Sequence, residues 1–103
     1  MDIELLTVPG CANTDAAVEL IKTAVADTGV RATFSHTTVT SQEHAQQRGF
    51  VGSPTILLNG TDPFAGDDEP PALACRLFPT PDGLRGVPAL RDLRQALKRA
   101  AAD

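Results

Sequence analysis

Two cysteines are the only strong nucleophiles in this chain of 103 residues, and they sit in unlike surroundings. Cys11 lies in Thr7-Val8-Pro9-Gly10-Cys11-Ala12-Asn13-Thr14, between an apolar run and a stretch with helical periodicity. A helix start offers unpaired backbone N–H groups and the positive end of the helix dipole. A cysteine there is more acidic than a free thiol and more reactive as a thiolate. Thr14, three residues on, carries a hydroxyl that can donate to that thiolate and lower its pKa further. Cys75 lies instead within the apolar run Leu73–Phe78. It reads either as a cysteine packed in a sheet core or as a partner for Cys11. Neither His36 nor His44 stands at a ligand offset from a cysteine, so no metal site is expected.

Composition narrows the partners. The net charge is −4, and the basic residues Arg91, Arg94, Lys98 and Arg99 have the spacing of a solvated helix face, so nucleic acid is not expected. No stretch reaches membrane-spanning length and Met1-Asp2 opens no export signal, so a cytoplasmic protein with reduced or transiently reacting cysteines is expected. No linker or repeat divides residues 1–103, which read as one domain. With four Phe and no Trp or Tyr, the core must rest on aliphatic residues.

Ile3–Val8 reads as a central strand buried on both faces, ended by Pro9-Gly10. Thr14–Thr28 carries the stripe Ala17, Leu20, Ile21, Ala24, Val25 of an amphipathic helix, and Gly29 stops it. Val30–Val39 is β-branched but polar, as an edge strand is; His36 alternates with Phe34 as a half-buried edge histidine. Thr40-Ser41-Gln42-Glu43 has the form of a capping box, with Thr40 as cap, opening a short helix to about Arg48. Thr55–Leu58 is a second central strand, and Asn59-Gly60 a turn. Asp62, Asp67, Asp68, Glu69 and three prolines then make a solvated acidic loop in which Phe64 turns back to the body. Leu73–Phe78 reads as a fourth strand, with Phe78 nearer Pro54 than Cys75 is. Arg76 then faces away from Cys75, toward solvent or an acid. Pro79–Gly86 is a turn-rich connection, and Pro88 opens a last helix bearing Leu90, Leu93 and Leu97.

The order β-α-β-α-β-β-α predicts an α/β protein of three α/β/α layers. Its four-stranded mixed sheet has the order 2-1-3-4, strands joined by a helical crossover being parallel and the last two forming a hairpin.

This arrangement resembles the thioredoxin superfamily in its small, glutaredoxin-like form. Three features carry the likeness: the element order, Cys11 between the first strand and helix, and Ser53-Pro54-Thr55 opening the third strand. The resemblance implies that Cys11 is the nucleophile and that Pro54 is cis. It also implies that Ser53, Pro54 and Thr55 dock an extended peptide or a glutathione-like ligand by strand-type hydrogen bonds. The motif here is Cys11-Ala12-Asn13-Thr14, with threonine where the second cysteine of C-x-x-C stands. That leaves a monothiol mechanism, with glutathione or Cys75 as resolver. The segments V-P-G-C, G-F-V-G-S-P-T and A-C-R-L-F further resemble small bacterial thioredoxin-like proteins, some labelled alkylmercury lyases.

The function expected is a thiol-dependent oxidoreductase of monothiol type. Its partner would be a low-molecular-weight thiol such as glutathione or a protein disulfide; no bound cofactor is expected, and the chain would be a monomer or weak homodimer. The alternatives are a non-catalytic thioredoxin-like binding module and a thiol that captures soft metal or organomercurial.

Overall fold

The computed structural model describes residues 1–66 and 69–102; Asp67 and Asp68 of the expected acidic loop lie outside the described residues. The elements are β1 (Asp2–Thr7), α1 (Thr14–Thr28), β2 (Thr33–Thr38), α2 (Gln42–Arg48), β3 (Thr55–Leu58), β4 (Phe78–Thr80), β5 (Gly83–Arg85) and α3 (Leu90–Ala102).

β1 is the centre of a three-stranded sheet in the order β2-β1-β3. Its period-two alternation splits the core into two layers. Ile3 and Leu5, with Ile56 and Leu58 of β3, pack under Ala17, Ile21 and Ala24 of α1 and Leu93 and Leu97 of α3. Leu6 and Leu57 face the other way, onto Ala45 of α2 with Val39 and Phe50. Apolar stripes on α1 and α3 therefore cover one face and the short α2 the other, giving three layers.

β1 and β2 are parallel, as a helical crossover requires, with Leu5 beside His36. β3 is antiparallel to β1, with Leu6 beside Thr55 and Ile3 beside Leu58. The crossover rule fails between β2 and β3 because α2 has seven residues and spans only about 10 Å. Such a helix does not return the chain along the sheet, so β3 starts from the end at which β2 stops.

The expected fourth strand does not join the sheet. Among the described residues, Leu73–Leu77 forms no ladder, and the strand begins only at Phe78. β4 pairs with β5, in the segment expected to be a plain connection, as a separate hairpin in which Phe78 faces Arg85. Pro79 at the middle of β4 has no N–H to give a second neighbour, which confines the strand to a short edge pairing. The order 2-1-3-4 is thus replaced by β2-β1-β3 with β4-β5 apart.

Smaller corrections concern local chemistry. α2 is capped by Ser41 and not by Thr40: the Ser41 hydroxyl accepts from the His44 N–H at 3.0 Å. His36 is exposed, not half-buried, with Nε2 2.8 Å from the Thr7 hydroxyl. Phe64 does turn back, meeting Phe78 edge-to-face at 5.7 Å between ring centroids.

Candidate functional site

The loop after β1 carries Cys11 to the start of α1, where the residue is partly exposed. Thr14 is the first residue of the helix. Burial by itself pushes the Cys11 pKa up, but hydrogen bonds to the sulfur outweigh it and hold the thiol below its ordinary value. They come from the Ser53 hydroxyl, the Asn13 backbone, and the hydroxyl and backbone of Thr14. A thiolate accepts such bonds better than a thiol, so they favour the charged form.

The Ser53 hydroxyl is the contribution that sequence reasoning missed. The resemblance implies only a backbone role for Ser53, yet its side chain also ties the proline loop to the end of β1. The Ser53 Oγ accepts from the Val8 N–H at 3.1 Å, which leaves its own hydrogen free to donate to Cys11. Val8 is the last residue before Pro9-Gly10, so the serine pins the root of the cysteine loop. A small hydroxyl residue directly before the proline at a strand start was the available signal.

The Ser53–Pro54 peptide bond is cis. Ser53, Pro54 and Thr55 are fully buried. The strand edge expected to receive a ligand at Ser53 is occupied by the chain itself. The Ser53 N–H donates to the Ala74 carbonyl at 2.8 Å, and the Arg76 N–H donates to the Ser53 carbonyl at 2.9 Å. Ser53 and Cys75 are therefore opposite each other in a one-rung parallel pairing. This register puts Cys75, and not Phe78, against the proline loop. Cys75 is also exposed, not packed in a sheet core.

Arg76 explains why Ala74–Arg76 lies there. Its guanidinium donates to Asp62 at 2.7 Å, both side chains being less than a tenth exposed. It also reaches the Thr55 hydroxyl at 3.4 Å and lies over the Phe78 ring at 4.4 Å. Asp62 thus serves as a buried counter-ion and not as part of a solvated loop. Gly52 makes the close approach possible: its φ is +138°, and a Cβ there would lie 2.9 Å from the Arg76 Cβ. On the other side of the cysteine loop, the chain between β5 and α3 runs so close that a Cβ on Gly86 would overlap the Asn13 amide.

The arrangement can do nucleophilic sulfur chemistry. It brings together Cys11, Thr14 and Ser53, and it places Cys75 beside Ser53. Among the described residues, no three His, Cys, Asp or Glu side chains gather as metal ligands would. No described helix is long and apolar enough to cross a membrane.

Comparison with known proteins finds one family: residues 1–71 match the model described as Thioredoxin domain. The matched segment contains β1 to β3, hence Cys11, Thr14 and Ser53–Thr55, and ends before Ala72. No curated protein and no solved structure matches the chain significantly.

Proposed function

The chain belongs to the thioredoxin-domain family, and from that premise we propose that it is a monothiol oxidoreductase in which Cys11 exchanges disulfides with a low-molecular-weight thiol of the glutathione class. The observation that carries this reading is the partly exposed Cys11 just before α1, on a loop whose root Ser53 pins at Val8; hydrogen bonding by Ser53, Asn13 and Thr14 holds its pKa down against burial. The Cys11 thiolate attacks one sulfur of a disulfide RS–SR. A Cys11–S–S–R bond forms, the other half leaves as a thiolate and takes a proton, and a second thiol later releases Cys11. Thr14 holds the thiolate but has no sulfur with which to resolve the adduct.

A small disulfide suits the site better than an extended peptide. A peptide added by strand pairing needs the backbone groups of Ser53, and Ala74 and Arg76 already hold both. Glutathione-sized reagents need only the partly exposed Cys11.

A second reading, a binding module that has lost turnover, is favoured by Thr14 in the place of a second motif cysteine. A glutathione-coupled assay with a small disulfide substrate separates the two. Turnover that disappears in Cys11→Ser supports the oxidoreductase; no turnover, with Cys11 unreactive to oxidised glutathione, overturns it. Residence in the cytoplasm, where glutathione is reduced, fits the chemistry proposed.

A further inference from the structure

We propose that Cys75 is the built-in resolving thiol for Cys11, held in place by the strap Ala74–Arg76. The proposal rests on the reading of Cys11 as a nucleophile and adds the partner that Thr14 cannot be.

Two separate observations give the direction of Cys75. In a parallel pairing, residues opposite each other project from the same face, and Cys75 is opposite Ser53. The Ser53 side chain goes to the Val8 N–H, at the root of the loop that carries Cys11, whose own N–H donates to the Val8 carbonyl. Cys75 is then on the side of the cysteine loop, about one strand spacing of 4.8 Å from the residue that pins it. Independently, successive residues of an extended segment face opposite ways. Arg76 buries its guanidinium on Asp62 and Thr55, which turns Cys75 outward. The exposure of Cys75 agrees with both.

The strap is locked at three points. The two backbone hydrogen bonds to Ser53 fix its register. The Arg76–Asp62 ion pair anchors it from beneath. Gly52, with no side chain, lets the Arg76 Cβ come against the proline loop. Cys75 also lines an open cleft of about 510 Å³ with Val51, Leu77 and Leu84, so its thiol is reachable from solvent.

Cys11 takes one half of a small disulfide, releasing the first RSH. The Cys75 thiolate then attacks the Cys11 sulfur, forming the Cys11–Cys75 bond and releasing the second RSH. The small disulfide gains two electrons and two protons, and the two protein thiols lose them. A small thiol or dithiol reductant returns the protein to its starting state by the reverse exchange.

The test is intact-mass spectrometry and peptide mapping of the full chain after brief exposure to oxidised glutathione, without reductant. In wild type we expect a species two hydrogens lighter, with Cys11 and Cys75 in one cross-linked peptide. In Cys75→Ser the glutathione adduct on Cys11 should accumulate and outlast the wild-type adduct by about tenfold, since an external thiol must replace a tethered one. Arg76→Met should slow closure of the internal bond while Cys11 still alkylates at the wild-type rate. A wild-type adduct on Cys11 that persists as long as in Cys75→Ser, with no lighter species, overturns this proposal and leaves the oxidoreductase reading standing. No adduct on Cys11 in either protein overturns both.

Discussion

The Ser53 hydroxyl accepts from the Val8 N–H at 3.1 Å and is among the groups that hold the Cys11 thiol below its ordinary pKa. One side chain thereby joins the strand end, the reactive thiol and the proline loop. Its removal acts on reactivity and stability together, which makes it the most informative single substitution in the site.

Ser53→Ala should move the pH midpoint of Cys11 alkylation up toward that of a free thiol and slow alkylation at neutral pH. Thr14→Ala should act in the same direction, since its hydroxyl also donates to the sulfur. The measurement is the rate of iodoacetamide labelling of Cys11 against pH. Ser53→Ala also leaves the Val8 N–H without its partner, at a cost of about 1–3 kcal/mol in denaturant unfolding. An unchanged midpoint in both variants would remove the electrostatic account of Cys11.

Asp62→Asn should destabilise the protein strongly. The Arg76 guanidinium is buried, so losing the opposing carboxylate strands a positive charge at a cost of about 3–5 kcal/mol. Arg76→Met strands the carboxylate instead and loses the guanidinium over the Phe78 ring, so it should destabilise as well. Urea midpoints within experimental error of wild type for Asp62→Asn would mean that the pair is not buried in solution.

Gly52→Ala should cost about 1–3 kcal/mol from overpacking against Arg76, and backbone strain at φ +138° adds to it. Gly10→Ala is a suitable comparison, because its φ is also positive but a Cβ there meets nothing within 4 Å. Thermal denaturation of the two variants should therefore rank Gly52→Ala as the less stable. The reverse order would contradict the close approach of the strap.

Acid should weaken the fold in part through Glu4. Burial raises its pKa, but hydrogen bonds from Arg48 and Thr37 and the charges of Arg48 and His44 outweigh it, leaving the folded value lowered. A folded pKa below the unfolded one contributes stability that is present above the unfolded value and lost as pH falls through the folded value. Glu4→Gln should thus be less stable than wild type at neutral pH and lose less on acidification. Urea unfolding at neutral pH and below the ordinary glutamate range checks this; parallel losses in both proteins would count against it.

Local pattern alone determined a good deal. The continuous apolar run of β1, the stripe and Gly29 stop of α1, the polar edge strand β2 and the place of Cys11 at a helix start are all written in neighbouring residues. Propensity, periodicity and backbone polarity act over a few positions, so these features needed no partner to be recognised. What only the tertiary structure decided is what reaches Cys11 and Ser53 from far along the chain. That Leu73–Leu77 is a strap and not a strand depends on Arg76 finding Asp62 and on Gly52 admitting its Cβ. The orientation of β3 depends on how far the short α2 carries the chain, and the Ser53 side chain became a thiol donor only when β3 came to lie beside β1. A buried ion pair and a one-rung bridge have no period and no local signature. They arise when the core brings distant residues together, and that is why Cys11 and Thr14 were legible in the sequence while the Ser53 hydroxyl and the Ala74–Arg76 strap were not.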